Sequence, residues 1–359
     1  MKLKHIIITI FTLFCFSLNA QDFHNTYWQF AQVEVNPAFT GAFLGNLRVN
    51  AIGRNQGTGV ANGSNIDMDM GRNSFDDLSI ALDGSLPFGL KDTDWISLGL
   101  NISKSTAGAG GFQRNFAGLS AAYHLSMNKD QTSVFTLGVR YGSYNTSLAN
   151  KVNFIDPFGL QGNGTSSDIT GLNVEEASET GANDFMVGVM YTTPVGDNAD
   201  LRIGISSDHL LNPRLSNGVL DTSTMIRTNP ENLERRLNVF AQYYVSLTDR
   251  MVFNPTVLYM TTANGSELLV QSLFSYLFNA EKDIVLNFGI GVRPSSSMDI
   301  PLFLGADWKD WKFGLSYDTN VSGLTQANGT FGALELGVSR VISWDKKATV
   351  KPKYVCPRL

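Results

Sequence analysis

From residue 46 to residue 342 the chain repeats with a period of two, and that one regularity leaves few folds open. Leu78, Ile80, Leu82, Gly84 and Leu86 alternate with Ser79, Ala81, Asp83 and Ser85. Ile96, Leu98, Leu100 and Ile102 alternate with Ser97, Gly99, Asn101 and Ser103, and Ala117, Leu119, Ala121, Tyr123 and Leu125 with Gly118, Ser120, Ala122 and His124. The pattern returns in Phe135, Leu137, Val139 and Tyr141, in Leu237, Val239, Ala241, Tyr243 and Val245, and in Ile284, Leu286, Phe288, Ile290 and Val292. Phe240 is an exception, apolar on the polar side. Successive side chains of a strand point to opposite faces, so each segment reads as a strand with unlike faces. After the N-terminus no run of about 18 apolar residues appears, which excludes a spanning helix.

A soluble sandwich alternates as well, so the connections decide. The pattern predicts strands near 46–55, 76–88, 95–104, 115–127, 133–144, 184–194, 200–209, 235–248, 251–262, 266–278, 283–293, 299–308, 311–319 and 331–342. Connections after even-numbered strands are short: 89–94, 128–132, 195–199, 249–250, 279–282 and 309–310. Those after odd-numbered strands include the long ones, 56–75, 145–183, 210–234 and 320–330. A sandwich has no reason to sort its loops by parity, whereas outer-membrane barrels have short periplasmic turns and longer outer loops. The expected fold is all-β: a transmembrane outer-membrane β-barrel of about 14 antiparallel strands. Its polar face lines the lumen and its apolar face meets lipid. Trp95, Trp308, Trp311, Tyr141 and Tyr191 are placed at strand ends as aromatic girdles. Only 16% of residues are charged, against roughly 25% in soluble domains, which suits this fold.

The ends read separately. Residues 1–20 form a signal peptide: Lys2, Lys4 and His5 precede an apolar stretch from Ile6 to Leu18, with cleavage between Ala20 and Gln21. Loss of Lys2 and Lys4 from the 27 Lys and Arg leaves 25 against 32 Asp and Glu, a net charge of about −7 that disfavours nucleic acid as a partner. Residues 21–45 form an N-terminal periplasmic or plug segment, residues 46–342 the barrel, and residues 343–359 a basic periplasmic C-terminal tail. Cys15 leaves with the signal peptide, so Cys356 has no intrachain disulfide partner.

Little in the chain points to catalysis, a cofactor or a metal. Asp208-His209 resembles an acid–base pair, but strand neighbours face opposite ways, so the two are not expected to meet. His124, on the polar face, suits a hydrogen bond in the lumen. Gly108-Ala109-Gly110-Gly111 lacks the Lys-Ser/Thr end of a phosphate loop. Asp67-Met68-Asp69 and Asp76-Asp77 read as solvated charge rather than a Ca²⁺ site. The chain is therefore expected to be no enzyme.

Several motifs together carry a resemblance. Gln21-Asp22-Phe23 leads to Asn36-Pro37-Ala38-Phe39-Thr40-Gly41, and Leu119-Ser120-Ala121-Ala122-Tyr123-His124 follows. Later come Leu315-Ser316-Tyr317-Asp318-Thr319-Asn320-Val321-Ser322, then Asn328-Gly329 with Gly332-Ala333-Leu334-Glu335-Leu336, and finally Cys356-Pro357-Arg358-Leu359. In this order they resemble the PorP/SprF family of type IX secretion membrane proteins, over Gln21 to Leu359. Leu359 departs from the family's usual terminal aromatic, and Phe331-Gly332-Ala333 stands where a more polar element is commoner. The resemblance implies a barrel in the type IX secretion and gliding machinery that binds, exports or anchors a cell-surface adhesin carrying a type B C-terminal domain. Outer-membrane lipid and type IX periplasmic or outer-membrane components are the other implied partners, and no catalytic residue is carried over. The alternative is an outer-membrane channel or hydrophobic-solute transporter, with residues 21–45 as its plug.

Overall fold

Fourteen antiparallel strands close into one ring in the computed structural model, which describes residues 25–56, 75–86, 89–107, 112–148, 180–214, 220–221, 226–227, 232–263, 265–294, 298–321 and 331–344. The strands are β1 Leu47–Gln56, β2 Phe75–Leu86, β3 Trp95–Ala107, β4 Phe112–Ser126, β5 Val134–Leu148, β6 Thr180–Pro194 and β7 Ala199–Asp208. They continue as β8 Arg236–Thr248, β9 Met251–Thr261, β10 Ser266–Asn279, β11 Ile284–Val292, β12 Asp299–Trp308, β13 Trp311–Asn320 and β14 Phe331–Ile342. Each pairs with its neighbour in sequence. β1 then pairs with β14 from Leu47↔Ile342 to Gln56↔Ala333, which leaves no open edge. A two-residue ladder, Leu220–Asp221 with Ile226–Arg227, stands outside the ring.

The alternation orients every strand. Leu119 is 66% exposed while its neighbour Ser120 is 4% exposed, and the same contrast separates Leu98 from Ser97. Exposed Leu, Ile, Val and Phe side chains form the outer, lipid-facing surface, and Ser, Asn, Thr and Arg point into the bore. The ring has a turn rim, where the short connections lie, β1 begins and β14 ends, and a loop rim opposite.

Two sequence expectations change. β3, β4, β5 and β6 run three or more residues further toward the loop rim than the apolar pattern indicates, through Ser105, Thr106, Gln113, Arg114, Asn145 and Asn183. Hairpin pairing outlasts the bilayer there, because backbone groups gain from pairing whether or not the side chains meet lipid. Trp95 does not join a girdle: it is 2% exposed and stacks inside the bore on His124, ring centroids 4.5 Å apart and nearly parallel. Its register puts it on the face of Ser97, across from His124. Trp308 does face outward at the end of β12, about half exposed; Tyr141 also faces outward, but it pairs with Leu119 in the middle of β5 and so joins no girdle at a strand end.

Leu119 lies near the middle of β4 on the lipid side. Leu119→Arg is expected to destabilise the protein in lipid vesicles by about 2–4 kcal/mol, read from denaturant unfolding. An unchanged midpoint would mean that this face does not meet hydrocarbon.

Candidate functional site

The bore is filled by the chain's own N-terminal segment. Residues 25–45 run from the loop-side half of the barrel to the start of β1 at the turn rim. They include a 3-10 turn at Trp28–Phe30, one α-helical turn (α1, Gln32–Val35) and a second 3-10 turn at Pro37–Phe39. Such an irregular segment satisfies few of its own backbone groups, so the wall must do it.

At the loop-side end Thr26 sits in a ring of charge. Glu335 accepts from the backbone N–H of Thr26 and of Tyr27, both at 2.7 Å, and Asp318 accepts from the Thr26 hydroxyl at 2.8 Å. Arg54 pairs with Glu335 and with Asp318, the latter at 3.2 Å. Arg293 pairs with Glu267 at 2.8 Å and Asp318 at 3.1 Å. Gln271 Nε2 donates to the Thr26 carbonyl at 2.8 Å. Charges this buried persist only when matched, and here they match one another around the plug.

In the middle, Asn36 fastens the segment to two strands. Its Nδ2 donates to the carbonyls of Val189 (3.1 Å) and Ile205 (3.2 Å), while its Oδ1 accepts from Ala38 N at 2.9 Å and caps the turn that Pro37 opens. Ser206 and Asn238 both donate to the Val35 carbonyl, at 2.6 and 3.0 Å. Trp28 and Phe39 pack on Phe240, the Phe39 and Phe240 rings stacked at 4.8 Å. The apolar exception of β8 is therefore a seat for the plug.

Toward the turn rim, Gly41 takes φ +68 and donates its N–H to Asp83 at 2.6 Å, and a Cβ there would fall 1.9 Å from Ser97 Oγ. Arg48 holds the same Asp83 at 2.8 Å and donates to the Phe39 carbonyl at 3.0 Å. His124 Nε2 donates to the Thr40 carbonyl at 2.9 Å, and its Nδ1 is 3.0 Å from the Thr136 hydroxyl. Because a carbonyl can only accept, Nε2 carries the proton. Tyr123, one residue away, faces outward and bonds Asp94 at 2.8 Å and Leu90 N at 2.9 Å, tying the turn between β2 and β3.

Several motif residues thus meet the plug: Asn36, Pro37 and Gly41 lie on it, and His124 and Asp318 grip it. Tyr317 alternates away from the bore, and Asn320 ends β13. Ala20, Gln21, Cys356, Pro357, Arg358 and the Asp67-Met68-Asp69 cluster lie outside the described residues. Sequence reasoning missed Arg48, Asp83, Arg54, Arg293 and Glu335. Their signal was available: full charges at inward register positions on a face otherwise of small, neutral residues.

One inference from strand geometry is corrected. β7 ends at Asp208, and His209 beyond it takes φ +56, so the opposite-face rule does not apply. Its Nδ1 lies 2.8 Å from Asp184 and its Nε2 3.8 Å from Asp208. Among the described residues these three are the only His, Cys, Asp and Glu group close enough to share a metal ion. Arg140 (3.1 Å) and Arg236 (2.8 Å) already hold Asp208, so that carboxylate is matched by guanidinium charge.

These features define a class: an outer-membrane β-barrel whose bore is occupied by its own N-terminal plug. Residues 17–338 match the model of the family described as type IX secretion system membrane protein PorP/SprF. The chain belongs to that family. No curated protein matches it. Among solved structures it is similar to the toluene transporter TodX of Pseudomonas putida, at 11% identity and a TM-score of 0.46 over 89% of this chain and 94% of that one. It is also similar to the translocator domain of autotransporter NalP from Neisseria meningitidis, at 10% identity and a TM-score of 0.45 over 87% and 94%. At such values these likenesses say nothing about function.

The plug carries one titratable group of consequence. Glu34, on α1, is 9% exposed, and burial raises its carboxyl to about 7. The Ser79 hydroxyl, which donates to it, and the charges of Arg140 and Arg236 oppose that rise, while Asp77 adds to it. A carboxyl raised on folding stabilises the seated plug below its ordinary value of 4.5, and this contribution is lost as pH climbs through 7. Hydrogen-exchange protection of residues 25–45, corrected for intrinsic rates, should therefore fall between pH 5 and pH 8. In Glu34→Gln the fall should vanish; an equal fall in that variant would remove Glu34 as its cause.

Proposed function

We propose that this type IX secretion membrane protein binds and anchors an exported cell-surface adhesin of the gliding machinery, one carrying a type B C-terminal domain. The filled bore carries the reading. With residues 25–45 bonded to many strands of the wall, the barrel is poorly suited to conduct solute and well suited to present two rigid rims. In barrels of this class the short connections face the periplasm, which makes the loop rim the cell-surface side. There the long connections at 145–183 and 210–234 offer the adhesin its docking surface. At the turn rim, the basic segment 343–359 engages the periplasmic components of the machinery. Export follows cleavage between Ala20 and Gln21.

The channel reading needs the plug to leave, and its hydrogen bonds to the wall argue against an easily emptied bore. Deletion of the gene should remove the partner adhesin from the cell surface, read by antibody labelling of intact cells, with complementation restoring it. Normal display in the deletion strain would overturn the anchoring role.

A further inference from the structure

Six described arginines are buried: Arg48, Arg54, Arg140, Arg202, Arg236 and Arg293. Five hold a carboxylate within 3.1 Å, on Asp83, Glu335, Asp208 or Glu267. Arg202, in β7, does not. It is 3% exposed, makes no ion pair among the described residues, and its Nε has no hydrogen-bond partner. What it does have is two ring faces, Phe39 at 5.7 Å and Tyr244 at 5.9 Å. Asp200, two residues earlier on the same face, stays beyond ion-pair reach and acts on it only through space. A guanidinium cannot shed its proton, so unlike a buried lysine it has no way to become neutral. Ring faces at nearly 6 Å replace only a small part of its lost hydration.

The neighbouring position is unmatched too. Gln242 of β8 lies directly across from Arg202 in the ladder, is fully buried, and has no partner for either its amide oxygen or its amide nitrogen. Arg202 lines a chamber of about 230 Å³ between the plug and the turn rim. Phe30, Phe43, Leu44 and Leu273 give that chamber an apolar wall. Asp283, Asp307 and Asp310 also line it, together with Lys309 and Lys312, and Lys312 pairs with Asp307 at 3.4 Å. Charge of both signs thus sits together there, whereas Arg202 has no carboxylate within ion-pair reach among the described residues.

We propose that this chamber binds an oxyanion, a carboxylate or phosphate borne on a short apolar group. The guanidinium of Arg202 would grip two of its oxygens, as such forks do. The apolar wall would receive the carbon skeleton. The site does not depend on the adhesin reading and would exist in a barrel with any partner.

The test is titration calorimetry on the full-length protein in nanodiscs of zwitterionic lipid, using hexanoate, inorganic phosphate and, as an uncharged control, hexanol. Saturable one-to-one binding of hexanoate, at least tenfold tighter than hexanol, is expected. Binding of phosphate without hexanoate would assign the site to free phosphate rather than to an apolar carboxylate. Arg202→Met should weaken the bound anion at least tenfold. If Arg202→Met does not insert, Arg202→Lys carries the test, since loss of the planar fork should still cost about tenfold. No saturable binding of either anion, or unchanged affinity in the Arg202 variant that inserts, would overturn the proposal.

Discussion

Closure of β1 on β14 is the constraint from which the remaining structure follows. In hydrocarbon a free backbone N–H or C=O costs several kcal/mol, so the sheet must end on itself. Once it does, period two sorts the side chains into a lipid face and a bore. The bore is then a low-dielectric space lined by polar groups that lipid cannot satisfy. Something must meet them, and the chain supplies residues 25–45.

The plug has the reciprocal problem. It contains one α-helical turn and two 3-10 turns, so most of its own peptide groups need outside partners. The wall provides them individually: Glu335 for Thr26 and Tyr27, Asn238 and Ser206 for Val35, His124 for Thr40, Asp83 for Gly41. Two sets of unsatisfied groups cancel, and the arginines that would otherwise be stranded in the bore complete the exchange. Gly188 shows how tightly they fit, since a Cβ there would lie 2.1 Å from Asn36 Oδ1. A buried guanidinium outside this pattern, such as Arg202, is for that reason conspicuous.

Legibility in the sequence followed the strength of local periodicity. Strand number and the parity of the loops could be read directly, because lipid imposes alternation on each strand independently. Trp95 lies near a strand end, which alone suggests a girdle, but its register puts it on the polar Ser97 face, and register decides. His209 escapes the alternation because it lies one residue past the end of β7, in a left-handed conformation that a period of two cannot signal. Of the motif residues, Asn36, Gly41, His124 and Asp318 proved to meet at the plug, but the contacts that join them to it link distant parts of the chain and leave no local trace. Phe240 carried the clearest unread signal, an aromatic ring on a lumen-facing position that requires something apolar inside.

Everything rests on residues 25–45 sitting inside a closed barrel. Thr40 Oγ1 of the plug lies 2.9 Å from Ser120 Oγ of β4. In protein assembled in vesicles with Cys356 replaced by Ser, the double variant Thr40→Cys with Ser120→Cys should form a disulfide spontaneously and completely. Thr40→Cys with Leu119→Cys should not, because Leu119 faces lipid. Two free thiols in the first variant, with the one at position 40 readily labelled by a water-soluble maleimide, would contradict the plugged barrel.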